Sequence, residues 1–341
     1  MFKFFSGSKQ KKQQEKVDDI NKVLDDLVVS SSLESNISAL KKLFDNNDTF
    51  IIRKIKCSAA DDLEYFIAYN DGLVDSSIIN ENIVKPLMLY EPDRSSGSLI
   101  TPLIESIIQI NEVKTASDMN TLIRDVTYGD TLLFVDGERE AAILNTKSFI
   151  VRSPDEPEGE KILSGPRDGF TEGLMSNLSL VRRRIRTNDL KMKFHTMGRR
   201  TSTTVCVSYI DSLVNKDVLS EIYKRLSKID IDGILDSNYI VELIKDKPYS
   251  LFKSMGFTER PDVIVAKLLE GRVAIFVDGS PIVITAPYLF IENFQSNEDY
   301  YLNYAYASFS RLLRIIGFSL SIFTPGIYVA MVAYHHEMIP T

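Results

Sequence analysis

Two carboxylates stand in matching surroundings in this chain, Asp136 before Gly137 and Asp278 before Gly279. Paired carboxylates can divide the work of general acid and general base when their environments push their pKa values apart. Each of these, however, follows an apolar strand-like run and precedes glycine, which is the signature of a tight hairpin turn. The turn accounts for both without any catalysis. There are three histidines, His195, His335 and His336, from which a His-based metal site or triad is hard to assemble. Cys57 and Cys206 lie in apolar runs, where a thiol behaves as a small buried hydrophobe. The chain contains no Walker loop, no Gly-x-Gly-x-x-Gly fingerprint, no Gly-x-Ser-x-Gly elbow and no His-Glu-x-x-His motif. Gly165, Gly169 and Gly173 recur at every fourth position, a spacing that fits no phosphate cradle. These residues point away from an enzyme, with no catalytic residue, cofactor or metal ligand to name.

The densest chemical feature is basic. Arg182, Arg183, Arg184 and Arg186 close a helix-periodic run over 174–186, and Lys191, Lys193, Arg199 and Arg200 follow. Against these eight cations, positions 182–200 carry one acid, Asp189. Guanidinium forks match carboxylates and phosphates, so the stretch suits acidic groups at a module or subunit interface, or anionic lipid headgroups. A solvated charged face is the other reading. A formal net charge of -7 and the missing motifs argue against nucleic acid.

The elements that position these residues form two units. A length of 341 residues exceeds one average domain, and 44% hydrophobic with 26% charged residues is ordinary for folded protein. Tyr69, Asp71, Leu73, Val74 and Asp75 are echoed by Tyr209, Asp211, Leu213, Val214 and Asn215 at an offset of 140. Phe134-Val135-Asp136-Gly137 recurs as Phe276-Val277-Asp278-Gly279 at an offset of 142. In each copy the first motif ends a strand (63–69 or 203–210) and opens a helix (76–89 or 216–227), with Asp75 or Asn215 at the N-cap. In each copy the second motif is a hairpin, preceded by a helical pattern over 118–127 or 261–269. The expected fold is therefore α/β: two related subdomains with mixed sheets, from an internal duplication. Ahead of them, Ser31 to Glu34 fits a capping box that opens a helix.

The boundaries that follow are a basic flexible tail at 1–16, a helical segment at 17–45, a first α/β subdomain at 46–152 and a second at 201–295. Between the subdomains, 153–200 reads as a Gly/Pro-rich and Arg-rich connector, and 296–314 as an amphipathic interfacial segment rich in tyrosine. From Ile315 to Tyr334 no charged residue occurs over twenty positions, the length of a membrane-crossing helix. Pro325 and Gly326 in its middle predict a kink. Arg311 and Arg314 precede the span while His335, His336 and Glu337 follow it, so the positive-inside rule puts the amino-terminal region in the cytoplasm.

Several blocks resemble a known family. Gly165-Pro166-Arg167-Asp168-Gly169-Phe170-Thr171-Glu172, the run Asn177 to Arg186, Pro261-Asp262 to Gly279, and Thr324-Pro325-Gly326-Ile327-Tyr328 are similar to signature blocks of GerA-type spore germination receptor A subunits. The resemblance implies a non-enzymatic membrane signalling subunit of a nutrient germinant receptor. It would lie in the spore inner membrane with B and C subunits as partners, and form homo-oligomers through the A subunit to conduct ions. The candidate interface residues are then Arg167, Asp168, Arg182, Arg183, Arg184, Arg186, Arg199 and Arg200, facing protein or membrane lipid. Ending after one span, the sequence reads as a fragment or a truncated relative. The competing reading is a membrane-anchored module that binds a small ligand in a cleft between its two α/β lobes.

Overall fold

The computed structural model describes residues 27–57, 63–90, 99–148, 160, 165–245, 250 and 252–334. The basic tail, residues 17–26, nearly all of 149–164 and the residues after the span lie outside the described residues. The first module contains α1 (Leu33–Leu43), β1 (Phe50–Lys56), β2 (Glu64–Asn70), α2 (Ser76–Ile78), α3 (Lys85–Leu89), α4 (Ile100–Pro102), β3 (Val113–Ala116), α5 (Met119–Tyr128), β4 (Thr131–Val135) and β5 (Ala141–Leu144). The second contains α6 (Leu174–Arg184), β6 (Leu190–Met197), β7 (Thr203–Ile210), α7 (Lys216–Leu226), α8 (Ser237–Ile244), β8 (Gly256–Thr258), α9 (Pro261–Leu269), β9 (Val273–Val277) and β10 (Val283–Ala286). Two short 3-10 helices, Phe290–Phe294 and Asn297–Tyr300, lead into the long helix α10 (Tyr304–Tyr334).

The strand orders, β1-β2-β4-β5-β3 and β6-β7-β9-β10-β8, are the same in both copies, as a duplication requires. The sheets are not mixed, which corrects the expectation: every pairing of named strands is antiparallel. The reason lies in the helical crossover β3–α5–β4. It makes two strands that point the same way, but hairpin strand β5 inserts between them, so no parallel neighbours arise.

Each sheet is a middle layer between two helical layers, because its strands alternate two apolar faces. In β2, Tyr65 and Ile67 face a core with Ile79, Ile83 and Leu87, whereas Phe66 and Ala68 face α1 and α5 through Leu40, Leu122 and Val126. Phe66 and Phe134 are direct cross-strand partners with stacked rings 4.4 Å apart, a pair worth about 1 kcal/mol beyond its buried area. In the second sheet, Val205 and Val207 face α7 and α8, and Cys206 and Phe276 face α6 and α9. Cys57 and Cys206 are both buried and unpaired, and burial pushes the Cys206 thiol up to about 12.

The turn and cap signals locate the elements well. The Asp75 carboxylate accepts from the amides of Ser77 and Ile78, and the Asn215 amide oxygen accepts from those of Asp217 and Val218. The helix over 76–89 widens to a π-helix at Ile79–Val84, directly before Pro86, whose ring would clash with the carbonyl of Asn82 in a regular helix. The capping box at Ser31 does not form. The N-cap of α1 is Ser32, without a side-chain cap bond, and Asn36 reaches back instead, accepting from Ser30 N at 2.9 Å and donating to Ser30 O at 2.6 Å.

That Asn36 clip recurs. Asn177 accepts from Thr171 N at 2.7 Å and donates to Thr171 O at 2.5 Å, an offset of 141. The 153–200 connector is thus corrected: α6 repeats α1, and β6 supplies the first strand of the second sheet. Phe170, Leu174, Leu178 and Val181 bury this helix against Phe276 and Ile264, so residues 170–192 contribute to the core and are not a link.

Gly129 and Gly271 close α5 and α9 with φ of 110° and 82°, and both pack under the carbonyl of a leucine, Leu73 or Leu213. At Gly279, φ is also 82° but a methyl group would meet nothing within 4 Å. Gly279→Ala is expected to cost about 1 kcal/mol from the left-handed backbone alone. Gly271→Ala should cost about twice that, because its methyl group also overlaps the Leu213 carbonyl. Urea unfolding of the two variants side by side separates the backbone term from the overlap.

Candidate functional site

The two modules meet on α6. One face of this helix lies on the second sheet, and its other side receives Gly72 of the first module, where an added methyl group would lie 3.1 Å from Met175. Arg182, in the last turn, is 1% exposed and enters the first module. Its guanidinium donates to Asn47 Oδ1 and Thr49 Oγ1, each at 3.1 Å. No carboxylate pairs with it among the described residues. Burial pushes its pKa down to about 10, still far enough above neutrality to keep the charge.

The segment before β1 then runs along the open edge of the second sheet. Asp48 N donates to Met192 O at 3.0 Å, and the Asp48 carboxylate accepts from Phe194 N and Lys193 Nζ, each at 2.9 Å. These bonds occupy edge groups of β6 that would otherwise be open to another strand. The carbonyl of Leu43, at the end of α1, accepts from Lys191 Nζ and Asn188 Nδ2. Arg186 stacks its guanidinium 3.7 Å from the centre of the Tyr128 ring on α5. The joint is polar, with cations of the second module set against Asp48, a backbone carbonyl and an aromatic ring of the first.

The sequence-predicted basic residues divide into three groups. Arg182 and Arg186 face the first module, as just described. Arg184 pairs with Asp168 at 2.6 Å, a contact between α6 and the loop before it, and Arg183 supplies the carbonyl that accepts from Arg186 Nε. Arg167 is exposed in that loop. Arg199 and Arg200 lie past the other end of β6, where Arg199 forks onto Asp230 with one bond of 2.7 Å and Arg200 meets Asp232 at 3.6 Å. An eight-residue strand separates the two ends by roughly 25 Å, so the cluster is not one patch.

A second constellation joins the second module to α10, and sequence reading missed it. Glu292, in the first 3-10 helix, accepts from Lys267 Nζ at 2.7 Å, from Leu289 N at 2.7 Å and from Arg272 Nη1. Burial pushes its carboxyl up, but the bonds from Lys267 and Arg272 outweigh it and the pKa falls below the usual range. Asp299, in the next 3-10 helix, is fully buried and takes Arg311 at 2.9 Å and Arg314 at 2.8 Å, while Arg314 also reaches Phe294 O at 3.1 Å. Here too burial opposes ionisation and is overcome by the two arginines, leaving the Asp299 carboxyl at about 2. Two buried carboxylates, each gripping two cations, therefore link α9 and β9 to α10. Charges read only as topology signals, Arg311 and Arg314, could have suggested an acidic partner, but nothing in the local sequence selects Asp299.

The helix α10 does not stop at the boundary expected near 314. Residues 304–314 are its first turns, and the helical assignment continues through Pro325 and Gly326 to Tyr334. Over Tyr304–Ala333 it is long and apolar enough to cross a membrane and none of its apolar window is buried. Cavities of about 680, 610 and 350 Å³ lie beside Val241 and Phe252, beside His195 and Tyr223, and beside Glu160 and Thr258 respectively. Asp278, one of the two turn carboxylates, accepts from Leu174 N at 3.3 Å and so caps α6 from its hairpin.

A duplicated, three-layer α/β body carrying one membrane-length helix defines the class of protein. The chain belongs to the GerA family: the model of the Bacillus/Clostridium GerA spore germination protein matches residues 38–341. Spore germination protein KA of Bacillus subtilis (strain 168) is 40% identical over 315 residues, covering 92% of this chain and 58% of the relative. Spore germination protein GerQA of Bacillus cereus is 36% identical over 310 residues, covering 91% and 60%. The chain thus spans about three fifths of the length of these relatives. The crystal structure of the N-terminal domain of the A subunit of the Bacillus megaterium spore germinant receptor GerK3 is 34% identical, with a TM-score of 0.60 over 77% of this chain and 98% of that one.

Proposed function

We propose that this chain is the amino-terminal region and first membrane helix of a germinant receptor A subunit, a non-enzymatic part that couples nutrient sensing to ion release. The observation that carries the reading is the ion-paired route from the second module through Glu292 and Asp299 to α10. A load on either module reaches the helix without crossing a flexible linker, as a coupling element requires. In this reading the modules face the cytoplasm, α10 lies in the spore inner membrane, and receptor B and C subunits and further A subunits are the partners. Helix α6 and its buried Arg182 occupy the contact between the modules, which favours coupling over a ligand cleft between lobes.

The test uses a receptor A subunit carrying this region, placed in spores lacking their receptors. Reversing Arg183, Arg184 and Arg186 together to glutamate removes the Arg184–Asp168 pair and the Arg186–Tyr128 stack but spares buried Arg182. Nutrient germination is expected to slow by about tenfold, with less partner subunit recovered on purification, since an interface charge reversal typically costs a few kcal/mol. Normal germination and normal recovery would remove this cluster from the coupling role.

A further inference from the structure

The second module ends in an exposed apolar edge beside α10. Phe252 is 74% exposed, Phe290 52%, Leu289 48% and Ile291 45%. Side chains this apolar and this open, gathered on one edge, mark a contact surface and not ordinary scatter. What covers them is shown by their neighbours. Phe252 meets Phe290 edge-on at 6.0 Å, and Phe290 meets Phe318 of α10 at 6.0 Å. Phe294 fills the angle, 5.1 Å from Phe318. The edge is therefore continuous with the apolar surface of the membrane-length helix.

The depth of that contact follows from helix geometry. Arg314, held by Asp299, is the last charged residue before the apolar run, and Phe318 lies four residues further, about 6 Å along the axis. A side chain level with Phe318 thus sits roughly 5–10 Å below the charged layer, the depth at which amphipathic surfaces lodge between headgroups and acyl chains. The charges around the edge agree with this. Glu292 is neutralised by Lys267 and Arg272, and Lys253, next to Phe252, is exposed and cationic, as suits an anionic headgroup.

We propose that the edge formed by Phe252, Leu289, Phe290 and Ile291 inserts into the headgroup and acyl boundary of the bilayer that α10 crosses, so that the second module rests on the membrane. This rests on α10 being a membrane span, and the experiment separates the two. The protein has no tryptophan, so a single substitution reports one site. The full chain is reconstituted in vesicles of phosphatidylethanolamine and phosphatidylglycerol containing lipid brominated in its acyl chains. Phe290→Trp reports the edge, Leu320→Trp the span, and Leu235→Trp the far end of the module, where Asp236 binds Ser280 in the turn before β10.

Bromolipid is expected to quench Phe290→Trp and Leu320→Trp by about half, while Leu235→Trp stays bright and open to aqueous iodide. Quenching at Leu320→Trp alone, with Phe290→Trp open to iodide, would overturn the insertion and leave the span intact. A Phe290→Trp shielded from both quenchers would also overturn it, since protein and not lipid would then cover the edge. If Leu320→Trp escapes bromolipid, the span fails and the insertion fails with it.

Discussion

Arg182→Ala is expected to lower the stability of the two-module body by about 3–4 kcal/mol, more than any other single truncation at the joint. Two losses add. Removing a fully buried side chain of this size leaves a cavity, and Asn47 Oδ1 and Thr49 Oγ1 lose their donor inside the protein. The charge itself contributes in the opposite sense. A buried guanidinium without a carboxylate partner bears its desolvation cost uncompensated, as the lowered pKa reflects. Arg182→Met, which keeps most of the volume and discards the charge, should therefore lie within about 1 kcal/mol of the parent protein. Denaturant unfolding of both variants decides the matter. Equal, large losses for Ala and Met would mean that the hydrogen bonds to Asn47 and Thr49 hold the joint and that filling the space does not.

Asp299→Ala is expected to release α10 from the second module, at a cost of about 3 kcal/mol in docking free energy. Part of this is the linkage term. A carboxyl held at about 2 instead of the ordinary 3.8 contributes about 2 kcal/mol at neutral pH. The remainder is the burden of Arg311 and Arg314 left without their partner, discounted because those side chains remain 35% and 39% exposed. The sign of the pH dependence is settled by the direction of the shift. The folded pKa lies below the unfolded one, so the stabilisation is complete above about pH 4 and is lost as pH falls towards 2. Hydrogen exchange over residues 290–315 in detergent micelles is the measurement. Exchange should rise about a hundredfold in the variant at pH 7, and in the parent protein the protection should collapse only in strong acid. In a receptor A subunit carrying this region, the same substitution should block nutrient germination while leaving the modules folded. Normal germination with a demonstrably undocked helix would remove Asp299 from the coupling route.

The repeat was legible because its markers answer to local physics. Asp136-Gly137 and Asp278-Gly279 mark turns that need a left-handed residue, and Gly137 and Gly279 have φ of 85° and 82°. Asp75 and Asn215 mark helix starts because a short side-chain oxygen there satisfies free amides. The first helix and strand of the second copy escaped notice for a reason equally physical. Lys41 of α1 is exposed on the first module, but its counterpart 141 residues on, Arg182, is sealed between two modules, so equivalent basic positions meet different surroundings. Leu33, Ser35, Asn36 and Ser38 do recur as Leu174, Ser176, Asn177 and Ser179, but the glycines and prolines over 165–173 mark a loop ahead of the second helix and set it apart from the first. The arginine cluster, similarly, was visible as composition while its division into three groups was not.

By itself the sequence determined the class: two α/β copies, their turns and caps, the buried cysteines and one membrane-length apolar run. Each depends on interactions within a few residues or on simple apolar periodicity, which survive without knowledge of the partner surface. The tertiary structure alone decided that the sheets are antiparallel, that the supposed connector is the first helix and strand of a repeat, and that the matching carboxylates Asp136 and Asp278 are not where the strongest electrostatics lie. Those belong to Arg182, Glu292 and Asp299. The strength of a charge is set by how completely water is removed from it and by which groups replace the water. For Arg182 the replacing groups come from more than 130 residues away, a distance in sequence that no local pattern records.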